Sequence, residues 1–175
     1  MRITHAQIDE IMSSFERLKL DENSPSLPFN VKSLQHRFNA QIKPFLDAAQ
    51  LDAEGLALMQ KLLLINECQI HTDEENNFEF FVNIFGDTIG LFGLGTIGGN
   101  FKILRLCFTV PENDREAQTL NFVFHAFTKS FLPKADGVEF INLLKATSEV
   151  ICGGVKFSLT QKDNLLTVTA VADAS

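Results

Sequence analysis

Apolar residues recur at helical spacing through Ile8, Ile11, Met12, Phe15 and Leu18, and Thr4 with Gln7 just ahead of them forms a capping-box pattern. Arg17 and Lys19 stand at the end where the helix dipole favours cations, so the spacing predicts a first helix near 5 to 19. "DENSPSLPFN", with two prolines among polar residues, reads as a loop. Leu34, Phe38, Ile42 and Phe45 mark a second helix starting near Asn30 and interrupted or kinked by Pro44. Asp52 is the expected N-cap of a third, with Leu51 and Leu56 at the two positions of a hydrophobic staple. Its run "LALMQKLLLI" is apolar nearly all round, which predicts a central position.

From Cys68 the period changes to two. "CQIHT" and "FEFFVNIF" around the polar "DEENN" predict a β-hairpin, and "DTIGLFGLGTIGG" and "FKILRLCFTV" continue as strands that end at Pro111. Asn113 or Asp114 caps a helix from 114 to 131 carrying the stripe Leu120, Phe124, Phe127 and Phe131, and Pro133 stops it. Asp136 with Glu139 starts a short fifth helix through Phe140, Leu143 and Leu144. "VKFSLTQKDNLLTVTAVA" closes the chain as two alternating strands around "KDN".

The expectation is therefore an α+β fold in one domain, residues 1–175, with about five helices packed on an antiparallel sheet of about six strands. An internal echo accompanies it. Residues 31–86 and 115–172 both read as two helices followed by a hairpin, with Phe-Leu ending one helix, Asp capping the next, and Phe78 and Leu165 opening the later strand after an Asn. That pattern describes a pseudo-duplicated helix-helix-hairpin unit sharing one sheet.

Charge and composition narrow the function classes. A net charge of -7 argues against nucleic acid and against charge-driven binding to anionic lipid, and it leaves room for a basic protein partner. All aromatic residues are Phe, 17 of them, and Phe has no polar handle for a wet rim, so most of these rings belong in a core. Cys68, Cys107 and Cys152 are odd in number, form no Cys-x-x-Cys pair and sit in apolar or strand-like stretches. Three buried, free thiols in a reducing, cytoplasmic setting are expected. "MRITHAQIDE" has no apolar signal region, and the uncharged run Thr88 to Phe101 is too short to span a bilayer and is broken by five glycines.

Gly93-Leu-Gly95-Thr-Ile-Gly98 has the spacing of a dinucleotide-binding fingerprint. That chemistry needs a helix N-terminus to follow, yet a β-rich run follows instead, so the segment is read as a glycine-broken strand or tight hairpin that holds no cofactor. In composition "IGLFGLGTIGG" also resembles viral fusion peptides, without the flanking amphipathic helix that an interfacial anchor uses. His71, Asp73, Glu74 and Glu75 offer metal-ligand chemistry on a short stretch, but lack the spacing of zinc or calcium sites and read as a solvated turn. Cys107 and His125 are a nucleophile and base pair only if the fold brings them together. No Ser elbow, P-loop or His-Glu-x-x-His is present, and no catalytic or metal residue is assigned.

One helical position breaks the stripe. At 100° per residue Phe122 lies opposite Phe124 and Phe131, so the 114–131 helix is either sandwiched between layers or exposes a ring. With the glycine-rich stretch it suggests a partner-binding surface of Leu91, Phe92, Leu94 and Phe122. The small size, acidity and helix-on-sheet design resemble bacterial secretion chaperones and toxin-immunity proteins in architecture. The expected function is a non-catalytic cytoplasmic protein-interaction module, an acidic inhibitor, immunity or chaperone-like protein, that binds a protein partner or itself through an apolar patch. The alternatives are a binding module for an apolar small molecule in a Phe-lined pocket and an enzyme with no recognisable motif.

Overall fold

Side-chain caps set where the helices begin. The structure, a computed structural model, describes residues 2–66 and 69–173. Thr4 and Gln7 close a capping box on α1 (His5–Glu16), and Asn30 with Ser33 does the same for α2 (Val31–Ala48). Asp52, Asn113 and Asp136 accept backbone N–H groups at the starts of α3 (Ala53–Leu63), α4 (Asp114–Phe131) and α5 (Gly137–Thr147). Pro44 does not interrupt α2, which continues to Ala48.

Seven strands form one antiparallel sheet: β1 (Gln69–Asp73), β2 (Phe78–Phe85), β3 (Ile89–Thr96), β4 (Phe101–Thr109), β5 (Glu149–Cys152), β6 (Val155–Lys162) and β7 (Leu165–Ala172). Their order across the sheet is β1-β2-β3-β4-β7-β6-β5. The sheet thus has one strand more than the sequence pattern suggests. The addition is β5, four residues joined to β6 through Gly153 and Gly154, both at positive φ as a two-residue hairpin turn requires.

Helices α2 and α3 precede the hairpin β1-β2, α4 and α5 precede the three strands β5, β6 and β7, and the two sets flank the central hairpin β3-β4. Three antiparallel steps separate β2 from β7, so these strands run in opposite directions. Both helix pairs cover the same face. Their core includes Phe38 stacked on Phe85 with ring centroids 5.3 Å apart, and Phe127, Phe140 and Phe157 beside them.

Helix α3 is not central. Leu63 is its one fully buried side chain and Leu58 is 50% exposed, because the helix sits at the margin of the layer and covers only part of its own apolar surface. Helix α1 lies on the opposite face of the sheet, where Ile11 and Phe15 pack with Val82, Phe92, Leu94, Ile103 and Cys107. The loop from α1 to α2 turns around the sheet end. Its Leu27 and Phe29 are buried and exchange backbone hydrogen bonds with Phe101, and the buried Lys102 ammonium donates to the carbonyls of Glu22 and Ser24. No described helix is long and apolar enough to cross a membrane.

Candidate functional site

The glycine-rich segment is an interior strand and a turn. A Cβ on Gly93 would meet the Phe101 ring at 2.6 Å, and one on Gly95 would meet the Asn100 carbonyl oxygen at 2.8 Å, beside the register shift between Leu94 and Gly95. Gly98 has φ +71° in the turn that leads directly into β4. Each glycine of the fingerprint spacing therefore serves the β3-β4 hairpin, and no helix begins where a dinucleotide phosphate would need one.

This placement corrects three of the four residues expected to meet a partner. Leu91, Phe92 and Leu94 are buried, Leu91 under the four-helix layer and Phe92 and Leu94 under α1. In a strand covered on both faces neither set of alternating side chains reaches solvent. Phe122 differs. It is half-buried, and the covering group is Phe45 of α2, whose ring centroid lies 5.1 Å away. The choice between a sandwiched and an exposed helix is thus settled sideways, by the neighbouring helix.

Phe45 is the one exposed ring among the 17 phenylalanines, at 40%. It also meets the His125 ring edge-on at 5.4 Å. His125 in turn lines a groove of about 180 Å³ between α4 and α5, with Leu120, Phe124, Val138 and Ile141 along its apolar wall. Phe45, Phe122, His125 and Val138 consequently form an apolar strip over the outside of α2, α4 and α5. Burial, reinforced by Lys129 and opposed by Asp136, holds the His125 pKa below its ordinary value, so near neutral pH the ring adds no charge there. The groove is smaller than the roughly 300–1,000 Å³ usual for a small-molecule pocket. The buried phenylalanines around it pack on one another, as Phe140 does on Phe157 at 4.9 Å.

The remaining candidates stay apart. Cys107 faces α1 and His125 rides on α4, so the sheet separates thiol from imidazole. Burial pushes the Cys107 thiol up to about 11, against the opposing effects of the Thr167 hydroxyl, which donates to Sγ at 3.5 Å, and of Arg105. Cys152, expected to be buried, is exposed on edge strand β5, and Cys68 lies outside the described residues. In native protein at pH 8, iodoacetamide should therefore alkylate Cys152 and spare Cys107 until denaturant is added. Peptide mapping that found Cys107 modified at the rate of Cys152 would contradict this placement.

At the β1-β2 turn Asn76 donates twice to the Asp73 carboxylate, at 3.2 and 2.8 Å, which lowers the Asp73 pKa and marks an ordinary Asx turn. Among the described residues no three His, Cys, Asp or Glu side chains gather as a metal would need. A second concave surface, missed by sequence reasoning, lies on the other side of the sheet between α1 and the β6-β7 hairpin, with Arg105 in its wall. No known protein family, curated protein or solved structure matches the chain.

Proposed function

We propose that this chain is a non-catalytic interaction module that works in the cytoplasm and binds a basic protein through the strip of Phe45, Phe122, His125 and Val138. The observation that carries the reading is the exposed Phe45 ring resting on Phe122 and His125, in a chain whose other 16 phenylalanines are buried or half-buried. With 40% of its surface in water, the ring forgoes part of the roughly 1.5–3 kcal/mol that full burial of a Phe side chain supplies. Aromatic anchors of this kind are what dominate binding when a partner covers them. Charge selects the partner. With a net charge of -7, association with a second copy works against repulsion, whereas a basic protein is steered in.

Phe45→Ser tests the reading, because Phe45 is the exposed ring, and its loss, which also uncovers Phe122, should lower unfolding free energy by about 1–2 kcal/mol and leave the chain folded. Immobilised wild-type chain should retain basic proteins that the Phe45→Ser chain retains at least tenfold more weakly, a difference of about 1.4 kcal/mol or more. Raised salt should slow their capture. Identical retained proteins on both chains, or acidic ones alone, would defeat the proposal. Sedimentation of the free chain as a stable dimer that Phe45→Ser dissolves would reassign the strip to self-association.

A further inference from the structure

The cleft on the opposite face of the sheet arises from a mismatch between α1 and the surface beneath it. Helix α1 covers the apolar half of that face, over β2, β3 and β4. The β7 and β6 half is lined with hydroxyls: Arg105 of β4 registers with Thr169 of β7, Thr169 with Ser158 of β6, and Thr167 with Thr160. Directly opposite residues on one face have Cβ atoms about 4.5–5.5 Å apart, so these side chains form a contiguous polar floor beside the guanidinium. Helix α1 supplies the wall with Gln7, Glu10, Ile11 and Ser14, and the space enclosed is about 410 Å³. The Lys162–Glu10 ion pair and a 3.3 Å hydrogen bond from Gln7 Nε2 to Asn164 Oδ1 join α1 to the hairpin tip at its end.

Arg105 is the unusual member. Its guanidinium lies 5.0 Å from the centroid of the Phe15 ring and donates to the Ser14 hydroxyl, yet among the described residues no carboxylate lies within ion-pair distance of it. It is half-buried, and desolvation lowers its pKa. A partly desolvated cation with no carboxylate beside it and donors facing a cleft is stabilised by an anion that enters there. The planar fork is the geometry that grips a carboxylate with two parallel hydrogen bonds.

We propose that this cleft binds a small hydroxylated monocarboxylic acid, with its carboxylate on Arg105 and its hydroxyls on Thr169, Ser158, Thr167 and Thr160. The lining favours a singly charged ligand. It sets Arg105 and Lys162 against Glu10 and Asp163, and with Lys162 paired to Glu10, Arg105 is the cation of the lining that no carboxylate meets. Volume agrees, since 410 Å³ falls within the range of small-molecule pockets and exceeds what one inorganic ion fills. The site is independent of the strip on the helical layer.

The experiment is an NMR titration of the full chain, following the Arg105 side-chain Nε–H and the amides of Ser14, Ser158 and Thr169. The probes are gluconate, sorbitol and inorganic phosphate at matched ionic strength. Gluconate should shift these signals together, and sorbitol, which has the same hydroxylated body without the charge, should bind at least about tenfold more weakly. Arg105→Met should weaken gluconate at least about tenfold, and Ser158→Ala, which leaves the guanidinium and α1 in place, about two- to tenfold. Absence of gluconate binding at concentrations on the order of 10 mM would overturn the proposal. So would equal binding of gluconate and sorbitol, or unchanged gluconate affinity in a folded Arg105→Met chain. Tighter binding of phosphate than of gluconate would overturn the carboxylate assignment. Should Arg105→Met fail to fold, unchanged affinity in Ser158→Ala is sufficient to reject the site.

Discussion

Phe92→Ala should lower the free energy of unfolding by about 3–5 kcal/mol, with the steepness of the urea transition unchanged. Phe92 is completely buried in the middle of β3, and its ring lies over Gly90, where a Cβ would approach Phe92 Cε2 to 2.6 Å. Val82 and Arg105 stand opposite it on the flanking strands, and Ile11 and Phe15 close the cluster from α1. Truncation would leave a void that this rigid surround cannot collapse into. The cost therefore includes the cavity as well as the lost transfer of the ring. A loss below about 1 kcal/mol would mean that Phe92 is not core. An accompanying loss of association would restore the surface role that its glycine-rich neighbourhood suggests.

The same residue shows what pattern can and cannot convey. Helix starts were legible because a cap is settled within four residues: Thr4 needs only Gln7, and Asp52 needs only the Gly55 amide. Strand β5 was missed because four residues are too few to show a period, although the Gly153-Gly154 pair that turns it into β6 was a usable signal. The central position expected for α3 failed for a different reason. An apolar helix states how much surface it could bury, and only its neighbours decide how much it does, as the exposed Leu58 shows.

Both candidate sites depend on pairings across long stretches of chain. Phe122 meets Phe45 only because α2 and α4 lie side by side. Arg105 reaches Thr169 and Ser158 only because β7 inserts between β4 and β6. No local spacing carries that information. The single Arg inside "KILRLCF" lies more than 50 residues in sequence from the alternating hydroxyls of "VKFSLTQ" and "LLTVTAV", and alternation alone does not say which strands pair. The register between them turns one cation and four hydroxyls into a lined cleft.

Gly95→Val should be the second most damaging change, lowering unfolding free energy by about 1–3 kcal/mol although Val is among the better strand formers. The opposing force is steric. A Cβ at position 95 would sit 2.8 Å from the Asn100 carbonyl oxygen and 3.3 Å from Phe101 Cα, and both are backbone atoms that cannot rotate away. Relief would have to come from moving the β3-β4 turn, where the ladder is already shifted between Leu94 and Gly95. Gly98→Asn provides the contrast. Position 98 has open space around its missing Cβ and asks only for positive φ, which Asn tolerates, so its cost should stay within about 1 kcal/mol. Thermal or urea unfolding of the two variants separates the roles. If these glycines instead cradled a phosphate, Gly95→Val would remove nucleotide binding and leave the ligand-free protein about as stable as wild type. Unchanged stability in Gly95→Val, with a nucleotide-induced thermal shift present only in the wild-type chain, would return the segment to the fingerprint its spacing imitates.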